Sequence, residues 1–161
     1  MFILKIKYHL FALIKKWFYL LIFRGKVKFG KGLTFRKGFN LSIEGNGNIE
    51  IGIKCFFNNY CSINSLDKIS IGHNSIFGEN VKLYDHNHRF SDSSKGIMEQ
   101  GYTSEPIIIG NNCWIGSNVT ILKGVTIGDN VIVGAGCLIN KDIPCNTIVK
   151  SQNSLLFEVR S

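Results

Sequence analysis

The chain has 161 residues, enough for one domain with a short appendage. Its 45% hydrophobic and 19% charged residues exclude disorder for the bulk of it, and two prolines beside seventeen glycines argue against a helical bundle. The net charge of +8 is confined to one end: residues 1–38 hold ten Lys/Arg and no acid, the rest nine against eleven Asp/Glu, so no basic groove for nucleic acid is implied.

Residues 1–24 read as an amphipathic helix. Lys5, Lys7, Lys15 and Lys16 interrupt the apolar run well short of the ~20 residues of a spanning helix, and no small-residue cleavage site follows. Lys5, His9, Lys15, Lys16 and Tyr19 recur near helical period as a narrow polar stripe. Phe2, Leu10, Leu13, Ile14, Trp17, Phe18 and Leu21 make a broad apolar face. Arg24, Lys26, Lys28 and Lys31 come next. The pattern suits either a helix lying in the headgroups of an anionic membrane or one packed across the end of the following domain.

From residue 25 to 148 the chain carries a repeat. Ile51-Gly52, Phe57 and Ile63 are six apart; after a two-residue slip the phase resumes as Ile71-Gly72, Phe77-Gly78 and Leu83. From Ile109 it runs without a slip through Ile115, Ile121, Ile127, Val133 and Ile139. Four positions on, a second small or branched residue recurs, as Cys55, Cys61, Ser75, Val81, Cys113, Val119, Val125, Val131 and Cys137. A period of six is neither helical nor simple strand alternation. It predicts short strands joined by tight turns, about 18 residues per triangular coil, with coils stacked as parallel strands at ~4.8 Å. Four cysteines fall at inward positions and read as small buried hydrophobes; Cys145 lies beyond the last hexad. Without a CxxC pair, the five cysteines indicate neither a disulfide framework nor a zinc ribbon, and they suit a reducing cytoplasm.

The hexads stop at Leu83 and resume near Ile107. Between them, residues 84–106 form an excursion loop carrying two of the four histidines, His86 and His88, and an interruption of that length inside a compact repeat points to function. His73 falls in a turn of a regular hexad, where it is expected to be exposed and structural. Residues 149–161 are a C-terminal tail.

The run Asn-Asn-Cys-Trp-Ile-Gly-Ser-Asn-Val-Thr-Ile-Leu-Lys-Gly-Val-Thr-Ile-Gly-Asp-Asn (111–130), followed by Gly134-Ala135-Gly136 and Lys141-Asp142-Ile143-Pro144, resembles the hexapeptide-repeat acyltransferases. Within them it is most similar to the galactoside and maltose O-acetyltransferases and their relatives acting on O-antigen and capsule sugars. The resemblance spans about residues 50–148. It implies an all-β fold, a left-handed parallel β-helix, assembled as a homotrimer with its sites in the clefts between prisms. It also implies acetyl-CoA as co-substrate, a sugar or glycan acceptor, no metal, and a place in cell-surface polysaccharide synthesis.

Asn80-Val81-Lys82-Leu83 leads, at the family's spacing, to His88 as the catalytic base; His86, two residues earlier, is the other candidate. The resemblance puts Asn58 (or the adjacent Asn59), Asp85 and Trp114 on the acceptor side, and Ser117, Ala135, Asn140 and Lys141 on the donor side. Lys123, Lys141 and Lys150 are candidates for the cofactor's phosphates, although a lysine in such a place is more often simply a solvated surface residue. Two departures stand out. Ser65 and Leu66 replace an acidic residue of the family, and Ser151-Gln152-Asn153-Ser154 replaces its C-terminal Gly-x-Pro-Ala segment.

The chemistry needs little apparatus. Acetyl-CoA is already activated, so a neutral imidazole with a pKa near ~6.5 suffices to deprotonate a hydroxyl as it attacks, in a direct transfer. Asp85 or a backbone carbonyl would fix the tautomer. Three other readings compete: N-acetyl transfer to an amino sugar, a zinc carbonic anhydrase of the same fold using His73, His86 and His88, and a non-catalytic repeat. A cytoplasmic enzyme, with possible peripheral contact at the inner membrane face, is the expectation.

Overall fold

The computed structural model describes residues 2–151, with side chains from His9 onward, so Phe2, Lys5 and Lys7 as members of the expected helix faces lie outside the described side chains, as do residues 152–161 of the tail. A helix, Phe2–Phe23, precedes a prism whose three faces are parallel sheets. Face I stacks Val27–Phe29, Asn48–Ile51, Lys68–Ile71, Ile107–Ile109 and Thr126–Ile127. Face II stacks Thr34–Phe35, Phe56–Phe57, Ile76–Phe77, Trp114–Ile115, Ile132–Val133 and Ile148–Val149. Face III stacks Asn40–Ile43, Ser62–Ser65, Lys82–Tyr84, Thr120–Leu122 and Leu138–Ile139.

Register follows the hexads. Phe35, Phe57, Phe77, Ile115 and Val133 align rung over rung on face II, as do Leu41, Ile63, Leu83, Ile121 and Ile139 on face III. All point inward and are buried. In the lower coils the axis is aromatic: Phe35 and Phe39 stack at 4.3 Å, Phe39 meets Phe57 at 5.0 Å, and Phe57 stacks on Phe77 at 4.3 Å. Each such ring contributes about 1.5–3 kcal/mol by burial, so the short strands are held mainly by what lies between the faces.

Two demands meet at the corners, a left-handed backbone and close approach between coils, and glycine answers the first at Gly32, Gly38, Gly124 and Gly136. Asn74, Asn80, Asn112, Asn118, Asn130 and Asn146 take the left-handed conformation, which asparagine tolerates better than most residues. The hexad glycines serve close approach instead: a Cβ on Gly116 would fall 2.6 Å from the Ala135 backbone nitrogen of the next coil. Cys55, Cys61, Cys113 and Cys137 are buried at corners, and Cys145 is exposed.

Departures from the hexad gather on the edge between faces III and I. The turn Glu44–Gly47 lies there in the first coil, the slip Leu66-Asp67 in the second, and the excursion in the third. The excursion is more ordered than a loop. Tyr84 still pairs with Asn64 of the preceding coil and Leu122 of the following one. His86–His88 and Tyr102–Ser104 then form an antiparallel ribbon, and a short 3-10 helix, Ile97–Gln100, lies near its tip. At the far end the prism runs one residue past the expected boundary, because Ile148–Val149 pairs with Ile132–Val133.

The helix closes the open end of the first coil, with Lys15, Lys16 and Tyr19 of its polar stripe turned inward. Ala12 and Tyr19 are buried, Lys15 donates to the Phe39 carbonyl, and Lys16 donates to the Leu33 carbonyl at 3.0 Å. The Tyr19 hydroxyl donates to the Phe39 carbonyl at 3.2 Å and accepts from the Leu41 N–H at 3.1 Å. A first coil has no preceding strand to satisfy its backbone, and these side chains take that place.

Candidate active site at the prism edges

Asp85 ends the third rung of face III and turns into the edge. Its carboxylate is fully enclosed and accepts from the Ser65 hydroxyl at 2.7 Å, the Leu66 N–H at 2.8 Å and the Asp67 N–H at 2.9 Å. The slip in the hexads is thus wrapped around this side chain. One oxygen also lies 3.0 Å from His86 Nδ1. Expected beside the acceptor, Asp85 is instead enclosed, and its contacts run to the corner and to His86.

The ribbon alternates its side chains, so His86 and His88 share one face and Asn87 points away. Tyr102 lies beside both rings, with centroids 4.4 Å from His88 and 5.4 Å from His86. The two histidines differ in their partners. His86 Nδ1 has Asp85, whereas His88 Nδ1 is buried with no hydrogen-bond partner. The base of the ribbon is fixed by the Glu105 N–H, which donates to the Asp85 carbonyl at 2.9 Å, and by an ion pair from Glu105 to Lys123. Its tip is tied by Gln100, which donates to the Asp92 carbonyl at 3.0 Å and the Lys95 carbonyl at 3.2 Å.

Higher on the same edge stand Lys123, Asn140 and Lys141. Asn140 and Lys141 are exposed beside a shallow apolar depression with Leu138, Ile143 and Thr147. Of the three lysines expected to meet phosphate, Lys123 is already engaged by Glu105. Lys141 and Lys150 are exposed.

The other expected residues lie elsewhere. Asn58, Ser117, Ala135 and Lys150 line the edge between faces II and III. Asn58 Oδ1 accepts from Arg36 at 3.1 Å and from the Asn59 N–H at 2.9 Å, and Ser117 Oγ accepts from the Glu79 N–H at 3.1 Å. Trp114 projects from face II, half exposed, between Ile76 and Ile132. Face III, ~10 Å wide for a three-residue strand, separates this edge from the histidines. One chain therefore does not bring the two sets together.

Sequence reading missed Tyr102 and Glu105, and it gave Ser65 no role. Tyr102 meets His88 only through the ribbon register, and nothing local marks it. Ser65 was visible as a departure from the family, and its hydroxyl on Asp85 explains why a small hydroxyl residue stands there.

Burial pushes the Cys61 thiol up to about 11 and raises Cys55 and Cys113 as well. Among the described residues no three His, Cys, Asp or Glu converge on a metal position. His73, the third histidine of the anhydrase reading, sits on the edge between faces I and II, where its Nδ1 accepts from the Ile53 N–H at 2.9 Å.

The bacterial transferase hexapeptide family (six repeats) matches residues 106–141. The chain is 35% identical over 132 residues to the protein named lipopolysaccharide biosynthesis O-acetyl transferase WbbJ of Escherichia coli K12, covering 78% of this chain and 67% of that one. It spans about half the length of the next curated relatives. Among solved structures, a maltose O-acetyltransferase from Clostridium difficile 630 superposes with a TM-score of 0.67 at 32% identity, over 86% of this chain and 73% of that one. The hexapeptide-repeat acetyltransferase VCA0836 of Vibrio cholerae, solved with acetyl coenzyme A, gives 0.68 at 28% identity, over 76% and 64%. The parallel coils, the six-residue register and these likenesses agree, and the chain belongs to the hexapeptide-repeat acetyltransferases, whose repeats wind a left-handed β-helix.

Proposed function

We propose that the protein transfers an acetyl group from acetyl-CoA to a sugar hydroxyl in the assembly of a cell-surface polysaccharide, with His88 as general base. The observation that carries the assignment is the contrast among three ring nitrogens. His73 Nδ1 and His86 Nδ1 are each tied to a structural partner, and His88 Nδ1 is enclosed without one. A buried unsatisfied group in a native fold needs an explanation, and a role in chemistry is one. The acceptor class rests on the relatives named for lipopolysaccharide and maltose O-acetylation.

In this reading the acceptor hydroxyl attacks the thioester carbon while the His88 imidazole takes its proton. The C–O bond forms, the C–S bond breaks, and the imidazolium returns the proton to the departing thiolate, so no covalent enzyme intermediate is needed. Backbone N–H groups of the coil wall would hold the oxyanion. The separation of the histidines from Asn58, Ser117 and Ala135 supports a homotrimer in which one prism's ribbon faces its neighbour's opposite edge. Trp114 would then face the acceptor. Lys141 and Lys150 remain available to the cofactor's phosphates, with Asn140 on the donor side. The site would work in the cytoplasm, at the inner face of the membrane.

A second reading follows from the Asp85–His86 contact, since a carboxylate behind an imidazole fixes its tautomer and orientation. Incubating the protein with acetyl-CoA and free, nucleotide-linked or lipid-linked sugars, with mass detection, tests both. We expect O-acetylated product, lowered by ~10²–10⁴ in His88→Ala with the oligomer intact. A comparable loss in His86→Ala alone moves the base to His86. Acetylation of an amino group changes the acceptor class, and normal turnover in both variants overturns the reading.

A further inference from the structure

We propose that the outward face of the N-terminal helix is a docking surface for an anionic lipid bilayer. Among the described side chains, Lys15, Lys16 and Tyr19 turn to the prism and satisfy backbone groups of the first coil. The opposite side is therefore bare and apolar. Leu10, Ile14, Trp17 and Leu21 lie along it at helical spacing and are 58–74% exposed. A soluble surface helix ordinarily shows the reverse arrangement.

Charge chooses the occupant. The stretch 1–38 carries ten cations and no acid, and Arg24, Lys31 and Lys37 are exposed around the helix and first coil. A second copy laid against this face would bring two such stretches together. An anionic surface complements them, and Trp17 is a residue type enriched where apolar and polar phases meet. A groove between helix and coil repeats the pattern on a small scale, with Leu13, Trp17, Leu20 and Phe29 along it and Lys16 and Lys31 at its rim. No helix among the described residues is long and apolar enough to cross a membrane, so the contact is one of lying flat.

The geometry has a consequence for reach. Because the helix covers the end of the prism, a bilayer under it leaves the coils stacked away from the lipid. The histidine ribbon leaves the third coil, two spacings of ~4.8 Å above the first, so with a helix ~10 Å thick it stands roughly 20 Å from the lipid. That height suits a glycan on a lipid carrier, a point that rests on the proposed function.

Co-sedimentation of the full chain with vesicles of phosphatidylcholine alone, or with added phosphatidylglycerol, tests the proposal. We expect at least roughly tenfold stronger binding to the anionic vesicles, abolished in Ile14→Glu/Leu21→Glu. Emission from Trp17, isolated by Trp114→Phe, should shift to the blue on binding, which reads the face without altering it. Binding that is absent, or unchanged in the double variant, overturns the proposal. So does a double variant that dissociates an oligomer when the parent has no vesicle affinity, since the face is then a contact between copies. Neither readout uses acetyl transfer, so failure here is distinct from failure of the proposed reaction.

Discussion

Asp85 lies 3.0 Å from His86 Nδ1, while the carboxylate also closes the corner below it through Ser65, Leu66 and Asp67. The same side chain thus shapes the edge and orients the first residue of the histidine ribbon. Substitution of Asp85 will therefore disturb both the corner and the ribbon.

Asp85→Ala should destabilise the protein by several kcal/mol, because the Leu66 and Asp67 N–H groups lose their acceptor at about 1–3 kcal/mol each. Ser65→Ala removes one hydroxyl donor and should cost about 1 kcal/mol. Urea denaturation of both variants checks the order, and equal losses would show that the corner does not depend on the carboxylate.

If the histidines and the opposite edge work across two chains, inactive variants should complement. His88→Ala and Ala135→Trp, each inactive alone, are expected to regain about a quarter of normal activity when unfolded and reassembled as an equal mixture, since sites pairing two intact partners then arise by chance. Absence of recovery in mixed trimers would place the site within one chain.

Only Cys145 is exposed among the five cysteines, and burial raises Cys55, Cys61 and Cys113. A thiol reagent at neutral pH should therefore modify Cys145 rapidly and leave the other four until denaturant is added. Rapid labelling of Cys61 in the native protein would contradict the inward placement of that hexad position.

The prism was legible because each inward position imposes size and polarity locally, so Ile109 to Ile139 repeat without a slip. The division of labour at the corners was less so, since glycine serves both close approach and positive φ, and asparagine took the second task at Asn80 and Asn118. The histidines stood out because they interrupt the repeat. Tyr102 did not, because its contact with His88 depends on a pairing across fourteen positions. The inward turn of Lys15, Lys16 and Tyr19 was equally hidden, for it answers to unpaired carbonyls at Leu33 and Phe39 in another segment.

Tyr19 offers a pH test of that helix docking. Its hydroxyl bridges the Phe39 carbonyl and the Leu41 N–H, and burial raises its pKa above the usual value of about 10, against the opposing effect of the Leu41 bond. A folded-state pKa raised above the unfolded one stabilises fully below the unfolded value and is lost as pH climbs through the folded one. Lys15, with its amine 5.4 Å from the Tyr19 ring, is shifted down by burial and titrates in the opposite sense, but it is common to both proteins compared. Tyr19→Phe should therefore cost about 1 kcal/mol near neutral pH. The gap to wild type should then narrow above pH ~10, as the native hydroxyl ionises and ceases to donate. Thermal denaturation of the two proteins from neutral to strongly alkaline pH measures that gap, and a constant difference across the range would show that the hydroxyl does not hold the helix to the first coil.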